Sequence, residues 1–198
     1  MDSKLTLHPT HRGVAYLEYK GEQQPVFYYP EGLYVDNLNT CYEQIDCMFS
    51  HHRKVTVVLI QFHQRRYSTS NQMLSRAINR LISALKKHYN TKRIGYFWAR
   101  EEGVSEAPHY HIAIFLDGSI CQSTYHVLQH ARNIWSALQA GNNVWQPKRN
   151  LYLLNRGDSD RSKLRAARMR ISYAAKKTTK ETISSRTRKF GSSRLKVN

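Results

Sequence analysis

Two histidines separated by a single residue, at the start of an apolar run, could bind a divalent metal ion. His109 and His111 flank Tyr110, and the sequence IAIFL follows at residues 112–116. The run is rich in β-branched and aromatic residues, which predicts a buried β-strand. Because successive side chains of a strand point to opposite faces, the two histidines project from the same face. The pattern therefore predicts two metal ligands on a stiff element.

A third ligand is expected from the preceding strand, which is predicted at residues 92–101. A short connection through Gly103 makes the two strands antiparallel neighbours. Glu101 is preferred because it lies within the predicted strand, and Glu102 is the alternative because a shift of one residue changes the face. Two imidazoles and a carboxylate suit Mn²⁺ or Mg²⁺, with positions left open for water and a phosphate oxygen.

A second histidine pair competes with this assignment. His126 and His130 are four residues apart on a predicted helix and could also chelate an ion. The sequence shows no third ligand near them, so packing or surface exposure is the simpler interpretation. The pair at 109 and 111 is itself consistent with two polar residues at the start of a strand.

A tyrosine followed by two lysines could attack a phosphodiester. Lys176 and Lys177 follow Tyr173 at helical spacing and share its face on a predicted basic helix, and Arg170 precedes it by one turn. A tyrosine with a free pKa of about 10 attacks phosphorus poorly until charge on the phosphate is neutralised. A bound metal ion and a lysine can do this. Together with the histidine pair, the motif predicts cleavage of single-stranded DNA through a phosphotyrosine.

Other tyrosines are alternatives to this nucleophile. The chain has 13 tyrosines, and any one of them could simply pack in the core. Tyr152 lies in a predicted strand with no lysine at helical spacing, and Tyr125 starts a helix without basic neighbours.

The charge of the chain predicts a polyanionic partner. The formal net charge is +17, from 31 basic and 14 acidic residues, and the basic excess is concentrated after residue 147. Trp145 could stack on an unpaired base. The residues expected to contact nucleic acid are Trp145, Lys148, Arg149, Arg168, Arg170 and Lys177.

The periodicity of the apolar residues predicts an α+β fold. From residue 54 onward the pattern reads strand, helix, strand, strand, helix, strand, and then one further helix. The predicted strands are 54–63, 92–101, 109–116 and 150–155, and the predicted helices are 70–89, 124–138 and 162–177. The β-α-β-β-α-β order is that of the ferredoxin-like arrangement, an antiparallel sheet with two helices on one face. The last helix adds the nucleophile to this core.

Alternation along the histidine strand predicts how its two faces are used. Tyr110, Ile112, Ile114 and Leu116 share the face that the two helices should cover. The histidines then lie on the open face, where the helix with Tyr173 can pack.

The length of 198 residues suits one domain, with a hairpin extension at residues 1–35 and a basic tail at residues 179–198. No apolar stretch approaches the roughly 18 residues that a membrane span requires. The N-terminus lacks the apolar core of a signal peptide. We therefore expect a cytoplasmic protein without membrane contact.

Several motifs resemble those of a known family. The sequence HYH at 109–111 resembles the HUH motif, and YAAK at 173–176 resembles the YxxK motif of single-tyrosine rolling-circle replication initiators. The strand VTVVLI at 55–60 resembles their first strand motif. WAREE, PHYHIAIFLDG, a tryptophan-containing helix, SYAAKK and RKFGSS occur in this order, which is similar to inovirus-type replication proteins, the YagK/YfjJ C-terminal group. The resemblance covers roughly residues 30–193.

The resemblance implies an HUH endonuclease fold and a sequence-specific nickase of single-stranded DNA that initiates rolling-circle replication. Tyr173 would keep the 5′ phosphate and release a 3′ hydroxyl, with Lys176 as helper and Glu101, His109 and His111 as ligands of Mn²⁺ or Mg²⁺. The replicon would be a phage or plasmid in a bacterial cytoplasm, and the DNA an origin hairpin. Because the chain has no Walker A motif, a host helicase and polymerase would complete replication. No second tyrosine lies within a helical turn of Tyr173, which favours a single-tyrosine mechanism.

Three other functions remain open at this point. A relaxase or transposase would share the same chemistry on a different DNA hairpin. A non-catalytic regulator that binds nucleic acid on the same fold would not need Tyr173. A metal-independent ribonuclease would use histidine as a general base and form no covalent adduct.

Overall fold

Nine strands and four α-helices make up the described part of this computed structural model, residues 5–102 and 107–198. The strands are β1 (Leu5–Leu7), β2 (Val14–Tyr19), β3 (Glu22–Phe27), β4 (Lys54–His63), β5 (Gly95–Glu101), β6 (His109–Asp117), β7 (Asn143–Trp145), β8 (Leu151–Asn155) and β9 (Phe190–Ser192). The helices are α1 (Val35–His51), α2 (Gln72–His88), α3 (Tyr125–Leu138) and α4 (Ser162–Ser172), and a 3₁₀ turn at Tyr173–Ala175 follows α4.

The main sheet is antiparallel and has β4 and β6 at its centre. The strand order is β7-β4-β6-β5-β9. The strands β7 and β8 pair with different halves of the same edge of β4. Eight of the ten residues of β4 are buried, as the apolar run predicts. The fold is α+β and compatible with a ferredoxin-like arrangement, which confirms the predicted class. A separate three-stranded sheet is formed by β1, β2 and β3.

The helices α2 and α3 cover one face of the main sheet, as predicted. Ile112, Ile114 and Leu116 of β6 contribute to the same apolar cluster as the two helices. This burial stabilises a rigid layer, because apolar area removed from water contributes about 25 cal/mol per Å². None of the helices in the described ranges is long and apolar enough to cross a membrane.

The opposite face carries the histidines and is covered by more elements than the sequence predicted. The helix α4 packs there as expected, and it shares an apolar cluster with α1 and with the hairpin of β2 and β3. Ala113 and Phe115, which follow His109 and His111 on this face, belong to the cluster. The face is therefore closed by an apolar layer except where the histidines lie.

The predicted helix over 162–177 is too long. The α-helix ends at Ser172, and Lys176 has an extended backbone with φ −59° and ψ 142°. The reason is a competing set of backbone hydrogen bonds: Tyr34 N–H donates to the carbonyl of Ala175 at 2.8 Å, and Lys177 N–H donates to that of Gly32 at 3.1 Å. The chain leaves the helix to pair with residues 32–34.

Two further strands differ from the sequence prediction. Trp145 was predicted in a loop but lies in β7, paired with Gln61 of β4. The basic tail contains β9, which extends the sheet beside β5. Gly191 of β9 lies opposite Trp98, and a Cβ at this position would come within 2.5–2.6 Å of three indole atoms. Only a glycine lets the indole lie across this strand.

We predict that Gly191→Ala lowers the free energy of unfolding by about 1–3 kcal/mol, because the added methyl group overpacks the interface between β9 and Trp98. Urea unfolding measures the effect. Gly13→Ala is the matched control, since no atom lies within 4 Å of a Cβ at that position. Equal stability of the two variants would contradict the close contact.

Candidate metal centre and nucleophile

The register of β5 and β6 brings one carboxylate and two imidazoles together. Glu101 lies opposite His109, and Ala99 lies opposite His111. Glu101 Oε2 is 3.2 Å from His109 Nε2 and 3.1 Å from His111 Nε2. The three ligand atoms lie within 4.8 Å of one another. The predicted triad is thus present as a group that could hold a metal ion.

Glu102, the alternative ligand, points elsewhere. Its Oε1 accepts hydrogen bonds from Arg100, with Nη2 at 2.6 Å and Nε at 2.8 Å. Arg100 is buried and also contacts Asn71 and Tyr110. The Glu102 carboxylate therefore neutralises a buried arginine, and Glu101 is the carboxylate of the candidate metal centre.

The pKa shifts of Glu101 and His111 favour the forms that bind a metal ion. Burial alone would raise the pKa of Glu101, but the hydrogen bond with His109, the proximity of His111 and the charge of Lys180 outweigh it, so the pKa is lowered. Burial lowers the pKa of His111; Glu101 opposes this, and His109 and Lys180 add to it. An ionised carboxylate and a neutral imidazole are the forms that bind metal.

The orientation of His111 provides an independent test of the fit. Its Nε2 is buried and, among the described residues, has no hydrogen-bond partner of acceptable geometry despite lying near Glu101. A buried polar atom without a partner carries a free-energy cost that a metal ion would remove. On the other side of the ring, Nδ1 is 3.1 Å from Nε2 of Gln61, whose Oε1 is 3.1 Å from His63 Nε2. Gln61 is thus positioned to orient the ring, as the outer partners of metal-binding histidines do.

Two lysines complete the surroundings of Glu101. Lys180 Nζ lies 3.1 Å from Oε1 and is fully buried, whereas Lys176 Nζ lies 3.5 Å from Oε2. Burial lowers the pKa of Lys180 to about 8, although Glu101 acts in the opposite direction. Sequence analysis missed Lys180, because it lies in the segment assigned to the tail and no spacing links it to Glu101.

The candidate nucleophile lies beside the triad. The ring centroid of Tyr173 is 5.3 Å from that of His111. Lys176 Nζ lies 3.9 Å from the centroid of the tyrosine ring, and Cζ of Arg170 lies 5.9 Å from it. The lysine reaches Tyr173 across the turn that ends the helix, so the expected neighbour is present although the expected helical spacing is not.

A second tyrosine approaches the site from a distant part of the chain. The ring of Tyr29 is 6.4 Å from that of Tyr173. Burial raises the pKa of Tyr29 to about 12, and the proximity of Tyr173 and Glu101 adds to the shift. A search for a second tyrosine within one helical turn of Tyr173 could not find Tyr29, because Tyr29 follows β3 and is distant in sequence.

Several predicted nucleic-acid contacts border the site. Trp145 is 50% exposed, and Lys148 and Arg149 are exposed in the loop that follows. Pro147 of this loop lines a cavity of about 40 Å³ together with His111, Arg170 and Tyr173. Lys177 is half-buried at the exit of the 3₁₀ turn. The basic loop and the candidate nucleophile therefore share one surface.

Arg168, in contrast, is buried in the interior, and the prediction that it contacts nucleic acid is wrong. Its side chain is 4% exposed, and Nη2 donates to Asp46 at 2.6 Å. The guanidinium also lies over the rings of Tyr19 and Tyr42, at 4.8 and 5.1 Å. These contacts give Arg168 a structural role between α1, α4 and the β2–β3 hairpin.

The two rival tyrosines lie on other elements than the triad. Tyr125 is 63% exposed on α3, on the far side of the sheet. Tyr152 lies in β8 and packs partly buried against the apolar cluster of α1 and α4.

A comparison with protein families finds one match. The family model described as the YagK/YfjJ C-terminal domain matches residues 18–193, which is most of the chain. No curated protein and no solved structure matches the chain.

We predict that Lys180→Met lowers the unfolding free energy of the metal-free protein by about 3 kcal/mol, because it leaves a buried carboxylate without its innermost cation. Denaturant unfolding measures this loss. Adding Glu101→Gln should recover much of it, and Mn²⁺ should raise the Tm of Lys180→Met more than that of the unchanged protein. Exposed Lys92 gives the matched control, Lys92→Met. If both methionine variants are equally stable, Lys180 does not support Glu101.

Proposed function

The chain belongs to the YagK/YfjJ C-terminal domain family, and we propose that it is a metal-dependent, single-tyrosine HUH nickase that cleaves single-stranded DNA to initiate rolling-circle replication. The observation that carries this proposal is the position of Tyr173, whose ring lies 5.3 Å from that of the triad member His111. A structural tyrosine would not need a buried carboxylate, two histidines and two lysines around it.

The residues of the site match the demands of phosphotyrosine chemistry. The Tyr173 hydroxyl attacks the scissile phosphorus, forms an O–P bond and releases the 3′ oxygen of the preceding nucleotide. The phenolic proton passes to solvent as the bond forms, and the departing oxygen takes a proton from solvent to become the 3′ hydroxyl. Lys176 lies 3.9 Å from the ring centroid, where its charge stabilises the phenolate as the proton departs.

Glu101, His109 and His111 would hold the divalent ion, Mn²⁺ or Mg²⁺. Such an ion neutralises charge on a phosphate oxygen and so lowers the barrier to attack by an oxygen nucleophile. Gln61 keeps the His111 ring in place, and Lys180 holds the second oxygen of Glu101. The arrangement leaves Glu101 Oε2 facing both histidines.

The surface around Tyr173 favours a single strand as substrate. Exposed Trp145 offers a face on which an unpaired base can stack, and Lys148 and Arg149 can pair with the phosphates that follow. Arg170 lies between this loop and Tyr173, where it can clamp the phosphate next to the scissile one. After cleavage, a host polymerase would extend the 3′ hydroxyl and a host helicase would separate the strands.

We predict a covalent protein–DNA adduct that requires Mn²⁺ and Tyr173. The protein is incubated with labelled single-stranded oligonucleotides tiling the DNA around its gene and is run on a denaturing gel. Tyr173→Phe should abolish the shifted band, because phenylalanine has no nucleophilic oxygen. His111→Ala should weaken it by about 10–100-fold, by analogy with losses of groups that orient or bind a metal.

Two tyrosine variants serve as controls. Tyr125→Phe removes an exposed hydroxyl far from the site and should leave the adduct unchanged. Tyr29→Phe should also retain it if one tyrosine is the nucleophile. Metal-independent binding without an adduct across all oligonucleotides would instead indicate a non-catalytic regulator, and cleavage of RNA without an adduct would indicate a ribonuclease.

A further inference from the structure

Three histidines meet on the face of the sheet opposite the candidate nickase site. His88 is the last residue of α2, and His126 and His130 lie one turn apart on α3. The ring centroid of His88 is 4.0 Å from that of His126 and 5.6 Å from that of His130. The sequence showed only the pair on α3, and the fold supplies the third imidazole.

The spacing of these rings is close to what a shared metal ion requires. A zinc–nitrogen distance of about 2.0–2.1 Å with tetrahedral angles places the centroids of ligating imidazoles roughly 5 Å apart. The observed separations bracket this value, and the 5.6 Å separation equals that of His109 and His111 in the candidate metal centre.

Polar contacts do not account for the cluster. Within residues 5–102 and 107–198, the side chains of His88, His126 and His130 make no hydrogen bond or ion pair with another group. The nearest charged neighbours in sequence, Lys86 and Lys87, are basic and would repel rather than pair with a protonated imidazole. The rings also pack edge-to-face on two tyrosines, with Tyr89 at 4.6 Å from His88 and Tyr125 at 5.0 Å from His126. This packing leaves the ring nitrogens of the three imidazoles without a polar partner in the described residues.

The surrounding structure fixes two of the three ligands and leaves the third adjustable. His126 and His130 are half-buried on α3, whereas His88 is exposed. The end of α2 is tied to the start of α3 by the hydrogen bond between Cys121 Sγ and Tyr89 Oη, at 3.3 Å. Unlike those of the Glu101 triad, the ligand atoms of these three histidines do not all lie within 4.8 Å of one another, so a shared ion requires the exposed His88 ring to rotate.

We propose that His88, His126 and His130 form a second metal site, which binds a Zn²⁺-like transition-metal ion and joins α2 to α3. A set of imidazoles without a carboxylate suits Zn²⁺, Ni²⁺ or Cu²⁺ and discriminates against Mg²⁺ and Mn²⁺. The two sites thus differ in ligand chemistry as well as in position. This inference does not depend on the nickase function.

The site is tested by Zn²⁺ titration calorimetry on the full chain with His109→Ala and His111→Ala, which disable the first site. We expect one equivalent of Zn²⁺ to bind and to raise the Tm, because an ion that binds only the folded state stabilises it. Adding His126→Ala and His130→Ala should weaken binding at least 100-fold and abolish the Tm shift. His88→Gln, at an exposed position, should weaken binding at least 10-fold without affecting folding.

The matched control removes a different histidine pair. His8 and His11 have ring centroids 4.6 Å apart in the N-terminal segment, and His8→Ala with His11→Ala should leave Zn²⁺ binding unchanged. Zinc binding that survives the loss of His126 and His130, or that is unaffected by His88→Gln, would overturn the proposal. A loss of binding in the control would place the ion at the N-terminal pair and also overturn it.

Discussion

The buried carboxylate of Glu101 is the interaction on which the rest of the site depends. Its side chain is 2% exposed, and an ion taken out of water costs several kcal/mol unless it is paired. His109 and His111 of β6 pair with it, and so do Lys176 and Lys180 from the segment after α4. The carboxylate of Glu101 therefore contacts side chains from β6, from the turn after α4 and from the tail.

The two faces of the main sheet have different roles. One face is an apolar layer that stabilises the fold, and the other carries the candidate site. The face under α2 and α3 is an apolar layer that keeps β5 and β6 in register, and this register places Glu101 opposite His109. The other face receives α4, which ends early because its backbone pairs with residues 32–34. This early end turns Lys176 towards both Glu101 and the Tyr173 ring.

Sequence reasoning was most successful where local pattern decides structure. The alternation and apolar content of β4 and β6 were sufficient to predict those strands and the shared face of the two histidines. The predicted end of β5 favoured Glu101 over Glu102 as the third member of the candidate triad. Lys180 was not predictable, because it meets Glu101 across 79 residues of chain and nothing in its neighbourhood signals burial. Arg168 was misassigned for a related reason: a basic helix suggests a nucleic-acid surface, and only the fold shows Asp46 beneath it.

The most direct measurement is to identify the residue that carries DNA after cleavage. The adduct formed with Mn²⁺ is digested with nuclease and trypsin and sequenced by tandem mass spectrometry. Trypsin releases residues 171–176, ISYAAK, in which Tyr173 is the sole tyrosine. The account predicts a residual nucleotide on this peptide and a signal about 10–100-fold weaker from the His111→Ala sample. A nucleotide on any other peptide, such as the one with Tyr29, would contradict Tyr173 as the nucleophile.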